Sequence, residues 1–127
     1  MNPPRIAIVD DEESVRRALV RLARSARLEA ETFGSAEEFL EAVAERPPDC
    51  VVLDLHMPKD DGFEVQDRLA RAGLRIPVIL ITGRDTPETR ARALEKGAVA
   101  YFRKPVDGEA LLEAIAAATG SKRNGMH

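Results

Sequence analysis

The sequence contains no tryptophan, one tyrosine, one cysteine and two histidines. A single cysteine excludes an internal disulfide, and two histidines beside it cannot complete a structural zinc site. Excess charge of one sign is also missing. The formal net charge is −3 and the pI about 5.5, without the basic excess of a dedicated nucleic-acid binder, so no direct nucleic-acid contact is expected of this chain. No apolar run approaches the roughly 20 residues that span a bilayer. The opening Met1-Asn2-Pro3-Pro4-Arg5 has no signal-peptide pattern, and no membrane association is expected. What the chain does have is 127 residues of which 44% are hydrophobic, enough to bury a core. The expectation is one soluble domain in the cytoplasm.

Short apolar runs alternate with helical patterns along most of the length. Ile6-Ala7-Ile8-Val9 reads as a buried strand that stops abruptly at Asp10-Asp11. Val15, Ala18, Leu19 and Leu22 then recur at helical spacing, with Arg16, Arg17, Arg21 and Arg24 on the opposite, solvated face. Asp10 and Asp11 are candidate caps for this helix. Leu28 to Phe33 alternates with Glu29 and Glu31, as a half-covered edge strand does. Ser35 and Glu38 have the spacing of a capping box, opening a helix that buries Phe39, Leu40 and Val43 and ends at Pro47-Pro48. The most apolar strand, Cys50-Val51-Val52-Leu53, ends at Asp54, and Cys50 within it reads as inert packing. A polar loop from Leu55 to Gly62 follows, with Asp60 and Asp61 as turn formers. The helix through Phe63, Val65 and Leu69 then closes at Gly73.

Pro77 to Ile81 is a fourth strand, ending in Thr82-Gly83. Thr86 and Pro87 start a helix that Gly97 ends, Ala98 to Phe102 makes a fifth strand, and Asp107 caps a last helix with Leu111, Leu112 and Ile115 on one stripe. Five strand–helix units predict an α/β fold, a doubly wound parallel sheet with helices on both faces. Residues 1–119 form the domain and 120–127 a polar tail or the start of a linker.

In such a sheet ligands bind beyond the carboxyl ends of the strands. Strand one ends in Asp10-Asp11, strand three in Asp54 and strand four in Thr82, while strand five leads to Lys104. Three carboxylates at one edge repel one another. A hard divalent cation relieves that repulsion, and an incomplete oxygen shell suits Mg²⁺, which keeps waters and room for a phosphate oxygen. Beside it a carboxylate can act as nucleophile toward a phosphoryl group, with Lys104 and Thr82 as partners for its oxygens. No base for activating water stands out, so such an acceptor would hold its product for a while.

Five segments in this order carry a resemblance: Asp10-Asp11, Val51 to Pro58 with Asp61-Gly62, Thr82-Gly83, and Tyr101 to Pro105. Together they resemble the receiver domain of two-component response regulators, the CheY-like fold, and receivers of the FixJ type most of all. The resemblance covers about residues 5 to 118. It implies a flavodoxin-like (βα)5 sheet of order 2-1-3-4-5, the order shared by flavodoxin and CheY. It also implies that a histidine kinase or phosphotransfer protein phosphorylates Asp54. By the same resemblance Asp11 and Asp54 bind Mg²⁺ directly, Asp10 largely through water, and His56 through its backbone carbonyl. Lys104, ahead of a cis peptide to Pro105, pairs with the phosphoryl group. Thr82 moves toward that group and Tyr101 turns inward as the switch. Without that role, Tyr101 reads as half-buried packing with its hydroxyl in water. The basic face of the first helix borders the implied kinase docking site. Arg84, Arg90, Arg92 and Lys96 are candidates for an output surface or a phosphorylation-dependent homodimer.

Competing classes fit less well. A haloacid-dehalogenase-type phosphatase needs a second acid two residues after its nucleophile, where this chain has His56. A nucleotide or flavin binder needs phosphate-facing amides in the first loop, where Asp10-Asp11-Glu12-Glu13 would repel the ligand. A pseudo-receiver, binding partners without phosphorylation, would not need the full set of acids, threonine and lysine.

Overall fold

In the computed structural model, residues 2–59 and 61–120 are described; Asp60 and the tail after Gly120 lie outside them. The chain runs β1 (Arg5–Val9), α1 (Glu13–Ser25), β2 (Glu29–Phe33), α2 (Ala36–Val43), β3 (Cys50–Asp54), α3 (Gly62–Arg71), β4 (Val78–Thr82), α4 (Pro87–Glu95), β5 (Ala100–Arg103) and α5 (Gly108–Thr119). All strand pairs are parallel, in the order β2-β1-β3-β4-β5. This is the flavodoxin-like order the resemblance implied.

The sheet divides two apolar layers because successive strand side chains point to opposite faces. Ala7, Val9, Val51, Leu53 and Leu80 pack with Phe39, Phe63, Val65 and Leu69 of α2 and α3. Ile6, Ile8, Cys50, Val52, Ile79 and Ile81 pack with Leu19 of α1 and Leu111 and Ile115 of α5. Burial on both faces explains why β1, β3 and β4 read as unbroken apolar runs, while β2, at the edge, alternates.

Several boundaries depart from the sequence reading. Neither Asp10 nor Asp11 is the N-cap of α1. Glu12 holds that position with no side-chain cap among the described residues, and Asp10 instead accepts the Glu12 N–H at 2.9 Å, which pushes the helix start two residues on. Ala18 is exposed, because the buried stripe of α1 passes through Leu19 and Ala23. In α2, Ser35 accepts from Glu38 as expected, but Glu38 reaches back to the Gly34 N–H rather than to Ser35. That helix ends at Val43, short of Pro47, consistent with the residue before a proline disfavouring helix.

β5 starts at Ala100 rather than Ala98, because the Ala98 N–H is taken by the Ala93 carbonyl at the end of α4. That bond, with Gly97 N–H to Leu94 O, is a Schellman motif, and α3 repeats it at Gly73 and Leu74. α1 closes the same way around Arg27, whose φ of 61° puts a residue with a Cβ where the other two helices have glycine.

Candidate functional site

Strand order reverses between β1 and β3, and the carboxyl ends of those neighbours carry Asp10 and Asp54. A parallel sheet leaves its crevice at that switch point. Asp10, Asp54 and Thr82 are buried there, while Asp11 is exposed. One oxygen from each of Asp10, Asp11 and Asp54 lies within 4.8 Å of the others. β5 brings in the cation: the Lys104 N–H donates to the Thr82 carbonyl at 2.8 Å, and its ammonium reaches Asp10 Oδ2 at 3.0 Å, Glu12 Oε1 at 3.3 Å and Asp54 Oδ2 at 3.5 Å. The Lys104–Pro105 peptide is cis.

These neighbours set the protonation of the site. Burial pushes the Asp54 carboxyl up to about 6, with the Asp10 charge adding to it. Lys104 and the His56 N–H, 3.3 Å from Asp54 Oδ1, pull it back, and Asp11 raises it further. Burial alone would lower the Lys104 pKa, but Asp10, Asp54 and Glu12 outweigh it and hold the ammonium above its ordinary value. Thr82 Oγ1 accepts the Arg84 N–H at 3.0 Å, which leaves the hydroxyl proton for another acceptor. Cys50 is fully buried and its thiol is pushed up to about 12, so it stays neutral.

The loop beyond Asp54 is closed by the Gly62 N–H to the Leu55 carbonyl, 2.8 Å, and by the pairing of His56 with Asp61. A Cβ on Gly62 would stand 2.9 Å from Leu80 Cδ2 and 3.1 Å from Leu55 Cα, so glycine lets the loop lie against β4. Asp61 is the N-cap of α3, accepting from Glu64 at 2.8 Å, rather than only a turn former. Asp60 is outside the described residues. The His56 residue is exposed.

Together these groups make an acidic site that, among the described residues, holds one cation and one hydroxyl donor and opens to solvent at Asp11. A sequence model of the response regulator receiver domain matches residues 6–116. The chain belongs to the response regulator receiver family. It is 40% identical over 118 residues to Nodulation protein W of Bradyrhizobium diazoefficiens, covering 93% of this chain and 52% of that protein. It is 42% identical over 113 residues to response regulator protein TodT of Pseudomonas putida, covering 89% and 50%. The crystal structure of FixJ-N superposes with a TM-score of 0.86 at 32% identity, covering 94% of this chain and 96% of that one. The receiver thus spans about half the length of the two full-length relatives.

The receiver also holds residues that sequence reasoning placed elsewhere. Arg16, assigned to the solvated face of α1, is half-buried, and its Nη1 donates to the Asp10 carbonyl at 2.6 Å. Glu12 shares Lys104 with the site. Neither had a signal beyond lying within six residues of Asp10. Of the four cations near α4, three are engaged inside the domain. Lys96 pairs with Asp67 at 2.9 Å, Arg92 lies over Phe63 at 4.3 Å, and Arg90 lies over Tyr101 at 4.7 Å. Tyr101 is buried, at 7% exposure, with its hydroxyl out of water rather than in it. Among the described residues no helix is long and apolar enough to cross a membrane.

Proposed function

We propose that this receiver accepts a phosphoryl group on Asp54 from a histidine kinase or phosphotransfer protein in the cytoplasm, in an Mg²⁺-dependent step. The observation that carries the reading is the Lys104 ammonium held between the buried Asp10 and Asp54 carboxylates. The donor set suits a hard cation: three carboxylates cluster within reach, and the buried Asp10 Oδ2 has the Lys104 ammonium 3.0 Å away as its charged partner. Asp10, Asp11 and Asp54 would hold Mg²⁺, with the His56 carbonyl as a further oxygen. When bound, the metal neutralises charge on the transferring group.

The chain's own residues do the rest. An Asp54 oxygen attacks phosphorus, the P–N bond of the donor phosphohistidine breaks, and the leaving imidazole nitrogen takes a proton from solvent. The product is an acyl phosphate and a free histidine. Lys104 exchanges part of its pairing with Asp54 for a phosphoryl oxygen, and the Thr82 proton is available to another. The acyl phosphate is dianionic where the carboxylate carried one charge, and this gain biases the loop after Thr82, with Tyr101 reporting the change to the far face. Phosphorylation-dependent pairing of two copies through that face fits the same reading. The domain comprises residues 1–119, with residues 120–127 as a polar tail or the start of a linker.

The test is intact mass after incubation with acetyl phosphate. One phosphoryl adduct is expected with Mg²⁺, none with EDTA, none in Asp54→Ala, and one in Cys50→Ala.

A further inference from the structure

Arg16, Arg17, Arg21 and Arg24 of α1 line one open groove of about 430 Å³, which Thr32 of the edge strand β2 borders from the sheet. Glu13 is the one acid among the lining residues, and its carboxylate pairs with Arg17 at 2.9 Å. Four guanidinium charges against one carboxylate leave the groove with three positive charges, in a chain whose net charge is −3. Arg21 and Arg24 are both exposed and have no ion-pair partner among the described residues. Folding alone does not favour this arrangement. Arg17 and Arg21 are four residues apart and Arg21 and Arg24 three, spacings at which like charges destabilise a helix.

We propose that this groove binds an oligophosphate anion, a chain of two or three linked phosphoryl groups, free or as the tail of a nucleotide. A groove of this volume is the size of a small-ligand site. Guanidinium forks match phosphate oxygens in pairs, and the Thr32 hydroxyl adds a donor from the strand side. Two of the forks are already anchored. Arg16 Nη1 donates to the Asp10 carbonyl at 2.6 Å and Arg17 Nη2 to Glu13, and each fork keeps further N–H groups for a ligand. Arg16 and Arg24 are separated by about 12 Å of helix. A single phosphate cannot meet forks spread over that length, whereas a linked chain can. An acidic peptide sets its carboxylates on separate flexible side chains and loses more freedom on binding. The site lies on the β2 side of α1 and is distinct from the acidic edge that holds Asp54.

The experiment is calorimetric titration of the whole chain with inorganic tripolyphosphate in Mg²⁺-free buffer at physiological ionic strength, beside ATP, inorganic phosphate and a hexaglutamate peptide. Saturable binding of tripolyphosphate is expected, weakened about fivefold or more in each of Arg21→Ala and Arg24→Ala. Arg71→Ala, which removes an exposed arginine of α3, should leave it unchanged. Whichever of tripolyphosphate and ATP binds tighter identifies the source of the chain. The urea midpoint of Arg21→Ala should lie at or above that of wild type, because a like-charged neighbour is gone. Absence of saturable binding, or wild-type affinity in both Arg21→Ala and Arg24→Ala, overturns the proposal. So does an equal loss in Arg71→Ala, or binding of inorganic phosphate or hexaglutamate as tight as that of tripolyphosphate. A lower urea midpoint in Arg21→Ala would assign the arginines to the fold and overturns it too. No metal and no phosphoryl transfer enters the titration, so this result and the Asp54 result stand or fall separately.

Discussion

The Lys104 ammonium stands 3.0 Å from Asp10 and 3.5 Å from Asp54, closer to the carboxylate that is not the proposed acceptor. That geometry gives the lysine two successive tasks. Before transfer it screens two buried carboxylates from each other; afterwards it can follow the new charge on Asp54 while Asp10 keeps a share of it. Lys104→Ala is therefore expected to take up some phosphoryl group, since the nucleophile and metal ligands are intact, but to lose the coupled surface change. Intact mass measures the first and amide chemical shifts on α4 and β5 the second. Full switching in the variant would contradict the assignment.

Stability should fall with rising pH in metal-free protein. Asp54 is pushed up to about 6 from 3.8, so between those values the folded state holds a proton that the unfolded state has released. By linkage, stability declines through that window and levels off above it. A shift of about two units corresponds to roughly 3 kcal/mol. Urea denaturation in EDTA should show this decline in wild type and a flatter profile in Asp54→Asn. The variant should be the more stable of the two at pH 7, and Mg²⁺ should narrow that gap by stabilising wild type. A steeper decline in Asp54→Asn than in wild type would contradict the assigned shift.

Arg16 holds the carbonyl of Asp10 at 2.6 Å from within α1. Its guanidinium also packs beside Gly34, where an added Cβ would stand 3.4 Å from Nη1. Arg16→Ala frees the turn that carries two of the three metal-site carboxylates. Partners of this kind are worth about tenfold or more in metal affinity. Calorimetric titration with Mg²⁺ should show a loss of that order, with Arg16→Lys intermediate. Unchanged affinity in Arg16→Ala would mean the turn holds itself.

Arg27 closes α1 in the left-handed region, where α3 and α4 use Gly73 and Gly97. Replacing it with glycine removes the Cβ strain of that conformation at the cost of a more flexible unfolded chain. Arg27→Gly should raise stability by up to about 1 kcal/mol, read as a higher urea midpoint with an unchanged slope. Phosphoryl uptake should not move.

The strand ends were legible because burial on both faces leaves so little choice of residue. In β1, β3 and β4 every core position is aliphatic or small, so the first polar residue, Asp10, Asp54 or Thr82, marks the carboxyl edge by itself. Caps with a side-chain oxygen, Ser35, Thr86 and Asp107, were legible for the same reason: one residue type performs one local task. Asp61 was missed as a cap although its bond to Glu64 is local, because it stands in a polar run where turn and cap look alike; the other exceptions depended on tertiary partners. Asp10 spends its oxygens on Glu12 and Lys104 rather than on capping α1, and Lys104 arrives from 94 residues later. Arg16 turns inward because a backbone carbonyl awaits it, which helical spacing cannot reveal. Tyr101 is buried with the Arg90 guanidinium of another element 4.7 Å from its ring centroid, a neighbour that strand spacing cannot reveal.

The most direct test of the central claim is to locate the phosphoryl group. Protein treated with acetyl phosphate and Mg²⁺ is reduced with borohydride, which converts an aspartyl phosphate to homoserine, and the tryptic peptides are sequenced by mass spectrometry. Homoserine at position 54, absent after EDTA and absent without the donor, is the predicted result. Homoserine at Asp10 or Asp11, or a phosphoryl adduct that persists in Asp54→Ala, would contradict the account.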